Sequence, residues 1–231
     1  MNLITKIVKA FSKRSREKRY EIFRQNFFVD ASTKILDLGS ETGLNIYLAL
    51  QGTGMTPQNI YIADINSMAV TKGSKQFGFN PVIIDESSVL PFPDGFFDIV
   101  YCSSVIEHVT VPKEQVWKLY CGKTFGSESI KRQMEFAKEI KRIGKQYFVQ
   151  TPYKHFPIES HSWLPFLAWL PRWLLIPVLR FTNLFWVKKT SPDWHLLNKS
   201  ELSQLFSDAQ IVEEKAFGLT KSIMAIKALS R

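Results

Sequence analysis

The sequence predicts an α/β protein with a seven-stranded, mostly parallel sheet closed by an antiparallel hairpin and carrying an aromatic-rich helical insert. Three observations predict it. The stretch Lys34-Ile-Leu-Asp-Leu-Gly-Ser-Glu-Thr-Gly43 reads as a buried strand running through a glycine-bearing turn into a helix. Short apolar runs then alternate with helical segments, which requires crossover connections and a parallel sheet covered on both faces. Two strand-like runs around Gly218 end the chain and read as a hairpin.

Taken in order, residues 2–28 have apolar residues at helical spacing around the charged run Ser12 to Arg19. Strand Lys34–Leu38 leads to a helix over 44–51. Strand Asn59–Ala63 ends at Asp64, and a helix follows from Ser67 to Phe77. Strand Pro81–Ile84 ends at Asp85. The loop Leu90 to Gly95 enters strand Phe97–Cys102. A helix from about Lys131 to Ile143 precedes strand Gln146–Gln150. Asn198 and Glu201 have capping-box spacing and open a helix of about ten residues. Runs Gln210–Phe217 and Lys221–Ala228 close the chain. The expected organisation is a basic helical segment over 1–29, a ligand-binding core over 30–152, an insert or lid over 153–194, and a helix and hairpin over 195–231 that complete the core.

The 231 residues, 45% hydrophobic and 22% charged, suit one α/β domain with an embellishment rather than a disordered chain. The net charge of +9 is uneven: residues 1–29 hold eight basic against two acidic groups and so account for +6 of it. That segment reads either as a basic amphipathic helix on an anionic surface or as a solvated helix capping the sheet. Nucleic acid is disfavoured as a partner, because the charge is confined to one terminal segment and no nucleic-acid module is recognisable. The two cysteines, Cys102 and Cys121, make no metal framework and are expected to be reduced. The interrupted apolar run at the N-terminus does not read as a signal peptide. The expected location is cytoplasmic, with peripheral contact at the inner membrane face left open.

Residues 153–194 depart from the alternating pattern. Ten aromatics fall there, and Arg172, Arg180, Pro165, Pro171 and Pro177 interrupt the apolar run, which argues against a membrane span. An interfacial segment over 163–187 and a lid packed on the domain are both compatible with this composition.

The chemistry lies at the strand ends. Asp37, Asp64 and Asp85 each stand at or beyond the end of a successive strand, so they share one sheet edge with the glycine turn. An acid past the second strand can accept both hydroxyls of a ribose, and one past the third can accept from an adenine amino group. A dinucleotide fingerprint needs three glycines for its pyrophosphate. Here only Gly39 and Gly43 are present, with Glu41 between them to repel a diphosphate. No tyrosine is followed four residues later by the lysine of short-chain dehydrogenase chemistry. An adenosine ligand without a diphosphate fits better.

At these residues the sequence resembles the class I S-adenosylmethionine-dependent methyltransferases, in particular the type 11 or ubiquinone/menaquinone C-methyltransferase-like subgroup. The likeness runs over residues 31–152 and resumes weakly at 195–228. Ile35 to Gly43 is similar to the glycine motif, and Ile62 to Ile65 to the ribose-binding acid with its apolar successor. Asp85 with Leu90 to Val100 is similar to the adenine-binding acid and fourth strand, and Ser103 to Val109 to the segment that faces the transferring methyl. The resemblance implies a Rossmann-like fold, S-adenosylmethionine as cofactor, and Asp37, Gly39, Ser40, Gly43, Asp64, Ile65, Asp85, Glu86 and Ser103 as its binding residues. The family's usual middle glycine is Glu41 here, which keeps open a non-catalytic, cofactor-binding interaction subunit.

On the acceptor side His108 is the first candidate for a base, by its place in the family's methyl-facing loop; histidine titrates near neutrality. Glu107 is read as facing the cofactor or capping the next segment. The stretch Gln150 to His161 leaves the fifth strand at the ligand edge, so Glu159 and His161 are candidate catalytic or polar contacts. It is similar to a stretch in bacterial methyltransferases of surface glycan or lipid pathways. Pro157 interrupts any helix that would align His155, Glu159 and His161, so no metal site is read there. His195 reads as structural. The acceptor expected is a small molecule, lipid-linked glycan-like or quinone-like, with a soluble acceptor and a purely structural lid as the alternative.

Overall fold

The computed structural model describes residues 3–85 and 89–229. Helix α1 (Leu3–Asn26) is followed by β1 (Ile35–Leu38), α2 (Leu44–Ala49), β2 (Ile60–Asp64), α3 (Ser67–Phe77), β3 (Asn80–Ile83) and β4 (Phe97–Ser103). Then come α4 (Lys113–Val116), α5 (Gly122–Ile143), β5 (Gly144–Pro152), α6 (Arg172–Thr182), α7 (Lys199–Leu205), β6 (Gln210–Ala216) and β7 (Leu219–Lys227). The seven strands form one sheet in the order β3-β2-β1-β4-β5-β7-β6, parallel through β5 and antiparallel at β7 and β6. The chain order reverses between β1 and β4, and a crevice outside the carboxyl ends of strands at such a reversal is where open α/β sheets bind ligands.

Strand alternation sends side chains to two cores. Leu36, Leu38, Val100, Cys102 and Val149 face α5 and α7, meeting Ala137, Ile140 and Leu202. Ile35, Ile60, Ile62, Ile99 and Phe148 face the other way, meeting Tyr20, Phe23 and Phe27 of α1, Ile46 of α2 and Val70 of α3. The C-terminal half of α1 is therefore a covering helix of the sheet. Arg24 Nη1 donates to the Ala49 carbonyl at 3.1 Å, closing the end of α2.

Helix α3 has the bounds its sequence pattern predicts, with the Asn66 side chain accepting from the Ala69 N–H and Gly78 ending it in the left-handed region. The capping box of α7 forms as read, although the helix is seven residues long rather than ten. Helix α5 begins nine residues before Lys131: Gly122, Gly126 and Ser127 are poor helix formers, but Phe125 and Ser129 are buried and tertiary packing extends the helix. Strand β5 runs on to Pro152, because β7 pairs with it along its length. The insert is irregular apart from a short 3-10 turn, Leu167–Trp169, and α6, whose Leu175, Ile176 and Leu179 are buried. Among the described residues, no helix is long and apolar enough to cross a membrane.

Candidate functional site

A cavity of about 500 Å³ opens where the crevice is expected, bounded by the glycine turn, the ends of β2 and β3, and the loop after β4. Its cofactor end is built by backbone strain and two carboxylates. Gly39 and Gly43 have φ of 74° and 73°, and Glu41 between them takes φ 50°, a left-handed conformation that costs a non-glycine residue about 1–2 kcal/mol. The Glu41 N–H donates to Asp64 Oδ2 at 2.8 Å, and the Asn66 N–H donates to Asp64 Oδ1 at 2.9 Å. The N–H groups of Gly39 and Ser40 both donate to the Ala63 carbonyl. The turn is thus fastened to the end of β2. Helix α3 presses on it from outside: a Cβ at Gly73 would come within 2.1 Å of the Thr42 carbonyl oxygen.

Gly39, Asp64, Ile65 and Asp85 line the cavity. Asp37 and Ser40 lie beneath the turn, buried, and Asp37 Oδ2 and Ser40 Oγ have no hydrogen-bond partner. Burial first, and then the nearby Asp64 carboxylate, push Asp37 well above the usual carboxylate range. Gly43 caps α2 at the end of the turn, against Ile62. Ser103 turns away: its Oγ donates to Gln150 Oε1 at 2.8 Å, and the neighbouring Ser104 lines the cavity instead. Glu86 lies outside the described residues.

Beside the cavity, two distant loops bring together a cluster of histidines and carboxylates, of which His108 and Asp193 line the cavity. His108 lines the cavity on a 3-10 turn, Ile106–His108, with Nδ1 3.5 Å from Asp193 Oδ2. His161 meets it edge-on, with ring centroids 4.7 Å apart, and stacks on Trp194. The Glu159 carboxylate accepts from the His161 N–H and sits 2.5 Å from His161 Nδ1, while its other oxygen accepts from the Ser162 N–H and hydroxyl. Glu107, read from sequence as facing the cofactor or capping, is instead fully buried below this cluster. Its Oε2 accepts from the Thr151 hydroxyl at 3.0 Å, and its Oε1 lies 3.8 Å from His161 Nε2. Burial disfavours a charged His161, but the Glu107 and Glu159 carboxylates outweigh it and raise its pKa to about 9. Burial raises Asp193 and Glu159, yet their histidine partners leave both below the usual carboxylate range.

Sequence reading missed Asp193 and the residues that lock the two loops together. The Gln133 amide, buried in α5, donates to the carbonyls of Ile106 and His195. The His195 N–H donates to the Glu107 carbonyl, and the Thr110 hydroxyl donates to the Asp193 carbonyl. His195 is structural in this arrangement, with Nδ1 3.2 Å from Gln133 Oε1, and burial lowers its pKa to about 4. Asp193 carried no sequence signal of its own, lying among the last residues of the insert, two before His195.

The cofactor end fits S-adenosylmethionine. Two unpartnered buried oxygens lie beneath a strained turn, two acids stand at successive strand ends, and Glu41 occupies the loop where a diphosphate would need a third glycine. Residues 36–147 match the family model described as a methyltransferase domain. No curated protein matches the chain in sequence. Among solved structures, an S-adenosylmethionine-dependent methyltransferase from Clostridium acetobutylicum aligns over 100% of both chains at 11% identity, with a TM-score of 0.55. A methyltransferase of the same dependence from Aquifex aeolicus aligns over 91% of this chain and 87% of its own, at 14% identity and a TM-score of 0.50. The geranyl diphosphate C-methyltransferase of Streptomyces coelicolor, solved with Mg2+, geranyl diphosphate and S-adenosyl-L-homocysteine, aligns over 87% of this chain and 65% of its own, at 10% identity and a TM-score of 0.53. At these identities the structural likeness is one of fold, and it agrees with the sheet order and the antiparallel β7. Residues 36–147 match a methyltransferase domain, and the chain has the fold of S-adenosylmethionine-dependent methyltransferases.

Proposed function

We propose that this enzyme methylates a hydroxyl of a small, lipid-linked, glycan-like or quinone-like acceptor presented at a membrane surface. The observation that carries the reading is the pair of carboxylate-held histidines, His108 with Asp193 on the cavity wall and His161 with Glu159 packed behind His108. A hydroxyl must shed its proton to displace a thioether, and the His108 imidazole, on the cavity wall, is placed to take it. When bound, the cofactor supplies an electrophilic methyl on a sulfonium, and the protein's task is alignment and acceptor activation. Asp64 and Asp85 would hold ribose and adenine; Gly39, Ser40, Gly43 and Asp37 would receive the amino acid end, with Ile65 against the base. Glu86 remains an expected neighbour of the same ligand, and Ser104 takes the place read for Ser103. His108 would act on the acceptor, with His161 and Glu159 packed behind it.

The lipid-linked acceptor is supported by the insert. Phe166, Trp169, Trp173, Phe181, Leu184 and Phe185 are each more than half exposed, on the segment whose two ends carry His161 and Asp193. Exposed aromatic side chains on such a segment suit the interfacial region of a bilayer. Lys113 and Arg132 line the cavity, which suits an acceptor bearing an anionic group. A structural lid over a soluble acceptor is favoured only by the buried inner face of α6.

The test is transfer of labelled methyl from S-adenosylmethionine into membrane and soluble extracts, with identification of the product. Label in a lipid-extractable methyl ether is expected, together with flotation on anionic vesicles that is weakened by Trp169→Ser with Trp173→Ser. Label confined to soluble products, with no flotation, removes the membrane acceptor. Cofactor binding indifferent to Asp64→Ala removes the assignment of the site.

A further inference from the structure

We propose that Glu107, His108 and His161 together bind a divalent transition-metal ion just behind the cavity wall that His108 forms, leaving coordination positions open for acceptor oxygens. Each of the three offers one ligand atom, and these atoms lie within 4.8 Å of one another. The sequence hid this because the ligands come from two loops more than 50 residues apart, and no single stretch has metal-ligand spacing.

The first observation is an orphan. Glu107 is fully buried, and its Oε1 has no hydrogen-bond partner while its Oε2 is held by Thr151. A buried carboxylate oxygen without a partner is costly. This one points at His161 Nε2, 3.8 Å away, a gap wide enough for an ion to bridge and too long for a hydrogen bond.

The second observation is the outer shell. Histidines that bind metals usually give their other ring nitrogen to a carboxylate, which sets the tautomer and aims the ligand nitrogen. Glu159 does this for His161 at Nδ1, 2.5 Å away, leaving Nε2 directed at Glu107. Asp193 stands 3.5 Å from His108 Nδ1. Thr151 does the equivalent for Glu107. Glu159 is itself fixed by the Ser162 N–H and hydroxyl. Two imidazoles and one carboxylate suit zinc, iron or manganese, and a three-ligand set leaves open positions.

The inference rests on the reading of this cluster as the acceptor's, and it says how the hydroxyl is activated. An oxygen bound to such an ion loses its proton to solvent far more easily than in water. The resulting oxyanion takes the methyl as the carbon–sulfur bond breaks, leaving a neutral thioether. His108 then serves as a ligand, and Asp193 and Glu159 as positioning residues.

The test is titration of the chelator-treated full chain with Co2+, read by the visible absorption of the bound ion, and with Zn2+ by calorimetry. One equivalent is expected. Glu107→Gln and His161→Gln should each weaken binding at least about tenfold, and Glu159→Gln, through the outer shell, by about 10–100-fold. Circular dichroism and retained S-adenosylhomocysteine binding identify the variants that are folded. No stoichiometric binding by the wild type, or equal affinity in folded Glu107→Gln and His161→Gln, overturns the inference. Methyl transfer that persists in chelator alongside absent metal binding leaves the proposed activity standing and removes the metal. Metal binding without transfer to any hydroxyl does the reverse.

Discussion

The backbone N–H of Glu41 donates to the Asp64 carboxylate at 2.8 Å, so the acid at the end of β2 holds the one turn residue that is left-handed without being glycine. Asp64 therefore has two duties, shaping the turn and facing the cavity. Asp64→Ala removes both, whereas Asp64→Asn keeps an acceptor for Glu41. We expect Asp64→Ala to weaken S-adenosylmethionine binding by tenfold or more and to lower stability by about 1–3 kcal/mol. Asp64→Asn should recover most of the stability and little of the affinity. Calorimetric titration and urea unfolding separate the two effects.

Helix α3 touches the same turn through Gly73, where a Cβ would overlap the Thr42 carbonyl. That neighbour is backbone and cannot rotate away. Gly73→Ala should cost about 1–3 kcal/mol through overpacking, despite alanine's better helix propensity. It should also loosen cofactor binding, because the turn must shift to admit the methyl group. Cofactor affinity equal to wild type would separate α3 from the shaping of the turn.

The hairpin provides a pH signature. Burial pulls Lys221 down to about 8; Glu214 opposes the shift, and Arg19, Arg16 and Lys18 of α1 reinforce it. The unfolded chain keeps this proton to about pH 10.4. Between these values the unfolded state binds more protons at this site, so Lys221 adds stability as pH rises. From about pH 8 to 9.5 its share should be about 1–2 kcal/mol, read as the difference between wild type and Lys221→Met, because His161, raised to about 9, and the buried Cys102 thiol, raised well above its usual range, work in the opposite direction. The upper limit avoids Tyr20, whose raised pKa works in the opposite direction as tyrosines begin to ionise. Urea midpoints across this window provide the measurement.

In the histidine cluster, Asp193→Asn keeps the size of the partner of His108 and removes its charge. We expect turnover to fall about 10–100-fold, the range typical of outer partners of functional histidines, with cofactor affinity unchanged. Gln133→Leu breaks the clasp between the two loops instead, leaving the Ile106 and His195 carbonyls without their donor. It should cost about 1–3 kcal/mol in stability as well as activity. Comparing kcat with unfolding midpoints distinguishes the charge from the scaffold.

The cofactor half of the site was legible because its residues are local: Asp37, Gly39 and Gly43 share one strand and turn, and Asp64 and Asp85 close the next two strands. The mainly parallel sheet followed from the same alternation, and the closing hairpin from the two runs around Gly218. The acceptor half was legible only as separate histidines. Glu107 neighbours His108 in sequence, yet its direction depends on Thr151 of β5 and His161 of the insert. Asp193 reaches His108 only because Gln133, Thr110 and His195 pin the returning chain. The start of α5 was lost for a similar reason, since its glycines argue locally against the helix that packing imposes.

Arg172 sits at the base of the insert, where its guanidinium donates to the carbonyls of Leu119, Pro192 and Val116 and lies over the Phe125 ring. Three bonds to main-chain oxygens ask nothing of the side chains around them. The outer face of α6 and the turn beyond it can then drift through generations of substitution while the anchor, and the histidines on either side of it, stay where they are.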